Sequence, residues 1–176
     1  MKRILLPMSE EVRMSLKAGE PVLLSGKIYT ARDAAHKRLK EMIEKGEELP
    51  FDLENATIYY VGPTPAAEGQ VIGSAGPTTA SRMDPYVPLL AEYGMRCMIG
   101  KGRRDERVVA AVKKYHMIYF VATGGAGALL SHCIKKRKMV AFEDLLSEAV
   151  TELEVEDFPC FVGLDCMGTD IYDLED

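Results

Sequence analysis

Residues 95–125, MRCMIGKGRRDERVVAAVKKYHMIYFVATGG, decide the reading of this chain. MRCMIG has the short apolar content of a strand. DERVVAAVKKY reads as a helix, and HMIYFVATGG as a second strand running into a glycine turn. Strand, helix and strand in succession argue for an α/β architecture.

The same alternation extends upstream. RILLPM reads as a short strand, and Ser9 caps a short helix that begins at Glu10, Glu11 and Val12. GEPVLLSGKIYT is β-rich and leads into ARDAAHKRLKEMIEKG. That helix places Ala34, Ala35, Leu39, Met42 and Ile43 on or near one face and stops at Gly46. ATIYYVG has the β-branched and aromatic content of a buried strand. Pro63 and Pro65 exclude helix from GPTPAAEGQ. VIGS is extended, and TTASRMDPYVPLLAEYG is helical with interruptions near Pro85 and Pro88.

Downstream, AGALLSHCIKK reads as a helix and RKMVAFEDL as a strand. AVTELEVEDFP alternates polar and apolar residues as a strand does, and CFVGLD reads as another. The acidic end, IYDLED, reads as a solvated tail. The expectation is one α/β domain over residues 1–176, with mixed strand directions at both ends.

Bulk properties narrow the function classes. The 22 basic and 27 acidic residues leave a net charge of -5, so the chain as a whole is not drawn to nucleic acid or to an anionic membrane surface. No apolar stretch approaches the roughly 20 residues needed to span a bilayer. The opening MKRILLPMSEEV has too short an apolar run for a signal peptide, which makes cytoplasmic location the default expectation. With 47% hydrophobic residues, the chain can bury a core without disulfides or metal. The four cysteines, Cys97, Cys133, Cys160 and Cys166, are irregularly spaced and form no CxxC pair. They read as free thiols, with no metal site on this chain.

Four stretches carry candidate chemistry. In TARDAAHKR, Arg32 and His36 are four apart at a helix start and share a face. A helix N-terminus favours anions, and the planar fork of Arg32 can hold a carboxylate through two hydrogen bonds. The same residues also make an ordinary solvated first turn, with Asp33 complementing the dipole. In VIGSAGPTTASRMDPY, Thr78 and Arg82 repeat the four-residue spacing. Gly73 and Gly76 permit close approach of a ligand to the backbone. Asp84 is placed to orient Arg82 through a salt bridge. Capping hydroxyls at a turn are the competing reading. In MIGKGRRDER, flanking glycines leave Lys101 exposed on a bend, as an anion site or as a basic surface turn. VATGGAGALL offers a glycine turn between strand and helix, suited to an anion or to tight packing; it lacks a dinucleotide fingerprint. No carboxylate pair compels an acid/base assignment. Glu148 and residues 154–157 read as a solvated edge. Lys135, Lys136, Arg137 and Lys138 read as a solvated turn or a subunit contact.

TARDAAHKR, YYVGPTPA, VIGSAGPTTASRMD, IGKG, TGGAGALL and LEVEDFP follow one another in this order, between about residue 10 and about residue 165. The succession resembles the C-terminal domain of class I, iron–sulfur fumarate hydratases. It is similar to the β subunit of their two-subunit forms and of L-tartrate dehydratase. The resemblance implies a swivelling β/β/α domain with mixed sheets, related to the mobile domain of aconitase. It implies reversible hydration of fumarate to L-malate. It implies a [4Fe-4S] cluster bound by three cysteines of a partner α subunit, in a hetero-oligomer such as α2β2. By the same resemblance, Arg32 and Arg82 bind substrate carboxylates, and Thr78 lies at the reacting carbons as a catalytic base. Lys101 binds substrate or stabilises developing charge, and His36, Gly76, Thr79 and Asp84 support the site. The alternatives are a tartrate dehydratase β subunit, converting tartrate to oxaloacetate, and a non-catalytic carboxylate-binding or structural partner domain.

Overall fold

A computed structural model describes residues 1–122 and 127–174. The chain runs β1 (Lys2–Leu6), α1 (Glu10–Ser15), β2 (Pro21–Thr30), α2 (Asp33–Glu44) and β3 (Thr57–Tyr59). An irregular segment then leads to a 3-10 turn at Ala80–Tyr86 and α3 (Val87–Glu92). β4 (Cys97–Gly100), α4 (Glu106–Tyr115), β5 (Ile118–Val121) and α5 (Gly127–Ser131) follow. The chain closes with β6 (Ile134–Ala141), a 3-10 segment at Glu143–Glu148, β7 (Val150–Leu164) and a last 3-10 turn at Ile171–Asp173.

The first five strands are parallel in the order in which they occur, and β7 pairs antiparallel with β2, β5 and β6. Because β7 pairs with β2 as well as β5, the strands β2, β3, β4, β5 and β7 close into a ring. β1 and β6 extend it outward from β2 and β7. Closure leaves the ring strands without a free edge.

Alternation along the short parallel strands assigns their faces. Tyr59, Cys97, Ile99, Ile118 and Phe120 join one apolar cluster with residues of β1, β2 and β7. Ile58, Tyr60, Met98 and Tyr119 join a second, with Ala35 and Leu39 of α2, Leu90 of α3, and Val108 and Val112 of α4. The first cluster fills the ring: Tyr59 of β3 meets Phe158 of β7 edge-on at 5.3 Å, although these strands do not pair. Both faces are covered, which is why these strands read as continuous apolar runs.

Several expectations are corrected. At the N-terminal end β1 lies parallel to β2, with α1 in the crossover, and the mixed direction expected there comes from β7, which pairs antiparallel with β2. AVTELEVEDFP and CFVGLD are one strand of 15 residues. Pro159 cannot donate to a ladder, yet it lies within the strand opposite Leu23. The irregularity is instead absorbed at Asp157, whose φ is 50°, opposite the register shift between Leu24 and Gly26. One continuous strand serves β6 with its first half and β5 with its second. The helix expected over AGALLSHCIKK ends at Ser131, and the lysine run is strand β6 rather than a turn. There Lys136 faces Glu154 at 3.5 Å, so pairing with acidic β7 overrides the local helical pattern. RKMVAFEDL leaves the strand after Ala141 and enters the 3-10 segment. The tail is not simply solvated: Arg103 bonds Asp173 at 2.9 Å, and Tyr172 accepts the Gly102 N–H at 3.1 Å. The turn of VATGGAGALL at residues 123–126 lies outside the described residues.

Candidate functional site

Parallel strands bring their carboxyl ends to one side of a sheet, and the loops at those ends carry the sites of open and closed α/β sheets alike. β2 ends at Thr30, two residues before Arg32. β3 ends at Tyr59, followed by Tyr60 and Gly62. β4 ends at Gly100, next to Lys101.

The segment from residue 61 to residue 79 has no helix but is firmly pinned. Thr64 N–H donates to Ser74 O at 3.0 Å, and Ser74 N–H returns to Thr64 Oγ1 at 2.8 Å. The Tyr59 hydroxyl donates to Ala75 O. Thr78 N–H donates to Tyr60 O at 2.8 Å, Lys101 N–H to Thr78 O at 3.3 Å, and Ala80 N–H to Lys101 O at 2.9 Å. The β3 and β4 ends therefore clamp Thr78 from both sides. Its neighbour Thr79 forms a backbone bridge with Lys101 and keeps an exposed side chain.

Thr78 and Arg82 do meet: an Arg82 guanidinium N–H donates to Thr78 Oγ1 at 2.7 Å. The expected helix face is not the reason, because Thr78 precedes the 3-10 turn that carries Arg82. Asp84 does not orient Arg82. That role falls to Asp33, whose carboxylate lies 3.4 Å from Arg82 Nε. Asp84 is buried and faces the other way, accepting from Arg104 Nε at 2.6 Å and from Asp105 N–H at 2.9 Å. Chain packing demands Gly73, because a Cβ there would lie 2.3 Å from Thr64 O. A Cβ at Gly76 would make only ordinary contact with Gly127, 3.4 Å from its Cα.

Arg32 caps the start of α2 and lies against Gly62, where a Cβ would come within 2.6 Å of its Nη1. YYVGPTPA thus supplies the bare backbone on which this guanidinium rests. Glu148, expected at a solvated edge, reaches the same helix start and accepts the Ala34 N–H at 3.2 Å.

His36 is 1% exposed, not a surface side chain. Its Nδ1 lies 2.7 Å from Arg32 O, and a carbonyl can only accept, so Nδ1 carries the proton. Nε2 is then a bare lone pair. Burial pulls the His36 pKa down to about 4, with the Arg104 charge adding to the effect, against the Arg32 carbonyl and Asp33. The ring stacks near Tyr60 and Tyr86 at 5.5 and 5.6 Å. It is a neutral brace for Arg32.

Among the described residues, three buried side-chain atoms have no hydrogen-bond partner: Arg32 Nε, Asp33 Oδ1 and His36 Nε2. All belong to the same five-residue span beside Thr78 and Arg82. Buried polar atoms are normally satisfied, so this concentration points to a polar occupant or ordered water. Two arginines, a lysine and a hydroxyl at one sheet edge suit a carboxylate-bearing anion.

His36 also makes stability pH-dependent. Between pH 6.5 and about 4 the unfolded chain binds a proton at His36 that the folded chain refuses. Stability from this group is therefore complete above pH 6.5 and falls as pH drops, by about 3 kcal/mol across the window. Urea unfolding midpoints measured from pH 7 to pH 4 should decline less steeply in His36→Gln than in the wild type. Equal slopes would remove His36 from this account.

Among the described residues, no group of three or more His, Cys, Asp or Glu can hold a metal ion. Burial pushes the Cys97 thiol up to about 12 and Cys166 up to about 11, and raises Cys133 and Cys160 as well. The four thiols are therefore held in the neutral form, and no two of them share a strand or helix. No described helix is long and apolar enough to cross a membrane.

The sequence matches the family model described as Fumarase C-terminus over residues 1–174. The chain belongs to the fumarase C-terminus family. Fumarate hydratase 2 of Leishmania major is 42% identical over 168 residues, covering 93% of this chain and 30% of that protein. The anaerobic class I fumarate hydratase of Escherichia coli is 43% identical over 151 residues, 85% of this chain and 28% of that one. A putative L(+)-tartrate dehydratase subunit beta of Methanocaldococcus jannaschii is 40% identical over 164 residues, 90% of this chain and 84% of its own length. This fumarase C-terminal domain thus spans less than a third of the two hydratases and most of the tartrate dehydratase subunit.

Two residues of the site escaped the sequence reading. Arg104 sits in GRRDER, a run that looks like any solvated basic turn, yet it is buried. Tyr60 looked like core and is core, but its carbonyl and hydroxyl both face the site's supports. No local signal separates Arg104 from Arg103, which is exposed.

Proposed function

We propose that this chain is the β subunit of a two-subunit iron–sulfur hydro-lyase that hydrates fumarate reversibly to L-malate. The observation that carries the proposal is the Arg82–Thr78 hydrogen bond of 2.7 Å, set beside Arg32 and Lys101 at the carboxyl ends of the parallel strands. In this reading the domain is of the swivelling kind related to the mobile domain of aconitase. On the same reading a [4Fe-4S] cluster belongs to the α subunit.

The chain's own residues have defined work in the reaction. Arg32 and Arg82 hold the two carboxylates of a C4 dicarboxylate. Removing a proton beside a carboxylate builds an aci-carboxylate, with two negative oxygens. Arginine and lysine aimed at those oxygens stabilise it more than the ground state. Thr78 is a weak base at its ordinary pKa. To act as the base it must first release its hydroxyl proton to solvent, and the guanidinium N–H on its oxygen would stabilise the alkoxide that then takes the substrate proton.

One observation favours a second reading. The tartrate dehydratase relative is matched over 84% of its length as a separate subunit, whereas the hydratases carry the match as a fraction of a longer chain. A tartrate dehydratase β subunit would use the same residues on a substrate with one more hydroxyl. Co-expression with an α-type partner, anaerobic purification and assay of malate, fumarate and tartrate separates the two. Turnover of malate and fumarate is expected, with none from the isolated chain. Preference for tartrate selects the second reading, and no turnover by a cluster-loaded complex defeats both.

A further inference from the structure

The sheet edge holds a second group of polar side chains, buried beneath the residues already assigned. Arg104 is fully buried as a side chain, and so is its partner Asp84, at 0% and 2% exposure. Isolated buried charges are rarely tolerated, so a pair this deep needs polar partners. Each guanidinium nitrogen of Arg104 and each carboxylate oxygen of Asp84 has one. Arg104 Nε donates to Asp84 at 2.6 Å, Nη2 to the Tyr60 hydroxyl at 3.1 Å, and Nη1 to Met98 Sδ at 3.5 Å. The guanidinium lies between two aromatic rings, 5.1 Å from the Tyr60 centroid and 4.6 Å from that of Tyr119. The second Asp84 oxygen takes the Asp105 N–H at 2.9 Å.

Three elements meet at this pair: two carry a functional side chain, and the third anchors Thr78. Asp84 lies two residues after Arg82 in the same 3-10 turn. Arg104 lies three residues after Lys101 in the β4–α4 loop. Tyr60 follows β3, and its carbonyl accepts the Thr78 N–H at 2.8 Å. A planar fork binding two partners at once holds them at a fixed mutual angle, which a point charge does not.

We infer that Arg104 is a positioning residue: with Asp84 and Tyr60 it sets the mutual placement of Thr78, Arg82 and Lys101 without touching substrate. As a mechanical link it stands on the geometry alone. Its consequence for turnover rests on the proposed hydratase reading. Misplacement of a reacting group by about 1 Å can lower a rate by about 100-fold.

The test uses two mild variants. Arg104→Lys keeps the charge beside Asp84 but loses the fork, and Tyr60→Phe removes only the hydroxyl acceptor. Arg103→Lys, on the exposed neighbour, is the control. Hydrogen exchange of the full-length chain, followed by NMR, reads the link without any assay. Arg104→Lys should speed exchange at the Thr78, Ala80 and Lys101 amides by about tenfold or more, and leave the β1–β2 ladder as in the wild type. Tyr60→Phe should show the same pattern more weakly. In the assembled complex, Arg104→Lys should lower kcat by about 10- to 100-fold and change KM by less than about threefold.

Unchanged Thr78 protection, or a uniform loss that includes the β1–β2 ladder, overturns the link. An unchanged kcat in an active, fully assembled complex overturns its catalytic consequence. If the wild-type complex turns over neither fumarate, malate nor tartrate, the hydratase reading fails, and the exchange measurement still decides the positioning role.

Discussion

On the proposed hydratase reading, Arg82→Ala should lower turnover of the assembled complex by about 100-fold or more, because it removes the charge proposed to meet the substrate beside Thr78. The expectation rests on two contacts. Arg82 donates to Thr78 Oγ1 at 2.7 Å and lies 3.4 Å from Asp33. Both ends of the Arg82–Asp33 pair are nearly half exposed, so the pair itself contributes little to folding. The fold should survive the substitution, with an unchanged circular dichroism spectrum and thermal midpoint. The loss should fall mainly on kcat, since stabilisation of an aci-carboxylate is felt more in the transition state than in the ground state. Arg82→Lys should restore only part of the activity, because a point charge cannot bond Thr78 and a carboxylate in one plane. Kinetics of the purified complex check this. A fall of less than about threefold would remove Arg82 from the chemistry.

Arg104→Met should lower stability by about 3–5 kcal/mol. Methionine fills part of the space between the Tyr60 and Tyr119 rings, so lost packing is not the main cost. Asp84 is left buried, with the Asp105 N–H as its remaining partner among those observed. An uncompensated carboxylate at that depth is what makes breaking such a pair expensive. The double variant Asp84→Asn/Arg104→Met removes both charges and should recover a large part of the loss. Urea unfolding of the wild type, both single variants and the double variant measures the coupling directly. A loss below about 1 kcal/mol in Arg104→Met would mean that water or another donor reaches Asp84. The experiment separates stability from placement, which the milder Arg104→Lys variant addresses.

Legibility from sequence divides along physical lines. The strands at ATIYYVG and MIG and the helices at ARDAAHKRLKEMIEKG and DERVVAAVKKY were readable, because each carries its own period and stop signal. AVTELEVEDFP and CFVGLD read as two strands, because no local signal says that one continues into the other. Their continuity depends on β2 running alongside them. The lysine run of β6 is strand only because acidic β7 lies opposite. Arg32, Thr78, Arg82 and Lys101 were nominated from residue type and spacing, and the fold brings the ends of their strands together. Asp84 reads as a partner of Arg82, two positions away, because sequence proximity carries no sign of the buried Arg104 twenty positions on.

By itself the sequence determined the α/β alternation, the family and the nomination of Thr78 and Arg82 within GPTTASRMD, all of which rest on patterns a few residues long or on their order along the chain. Tertiary structure alone decided the closed ring, the pairing of Asp33 with Arg82, and the burial of Asp84 with Arg104. Those features join residues from about 20 to more than 100 positions apart, and local propensity carries no information about which distant carboxylate will be desolvated beside which guanidinium.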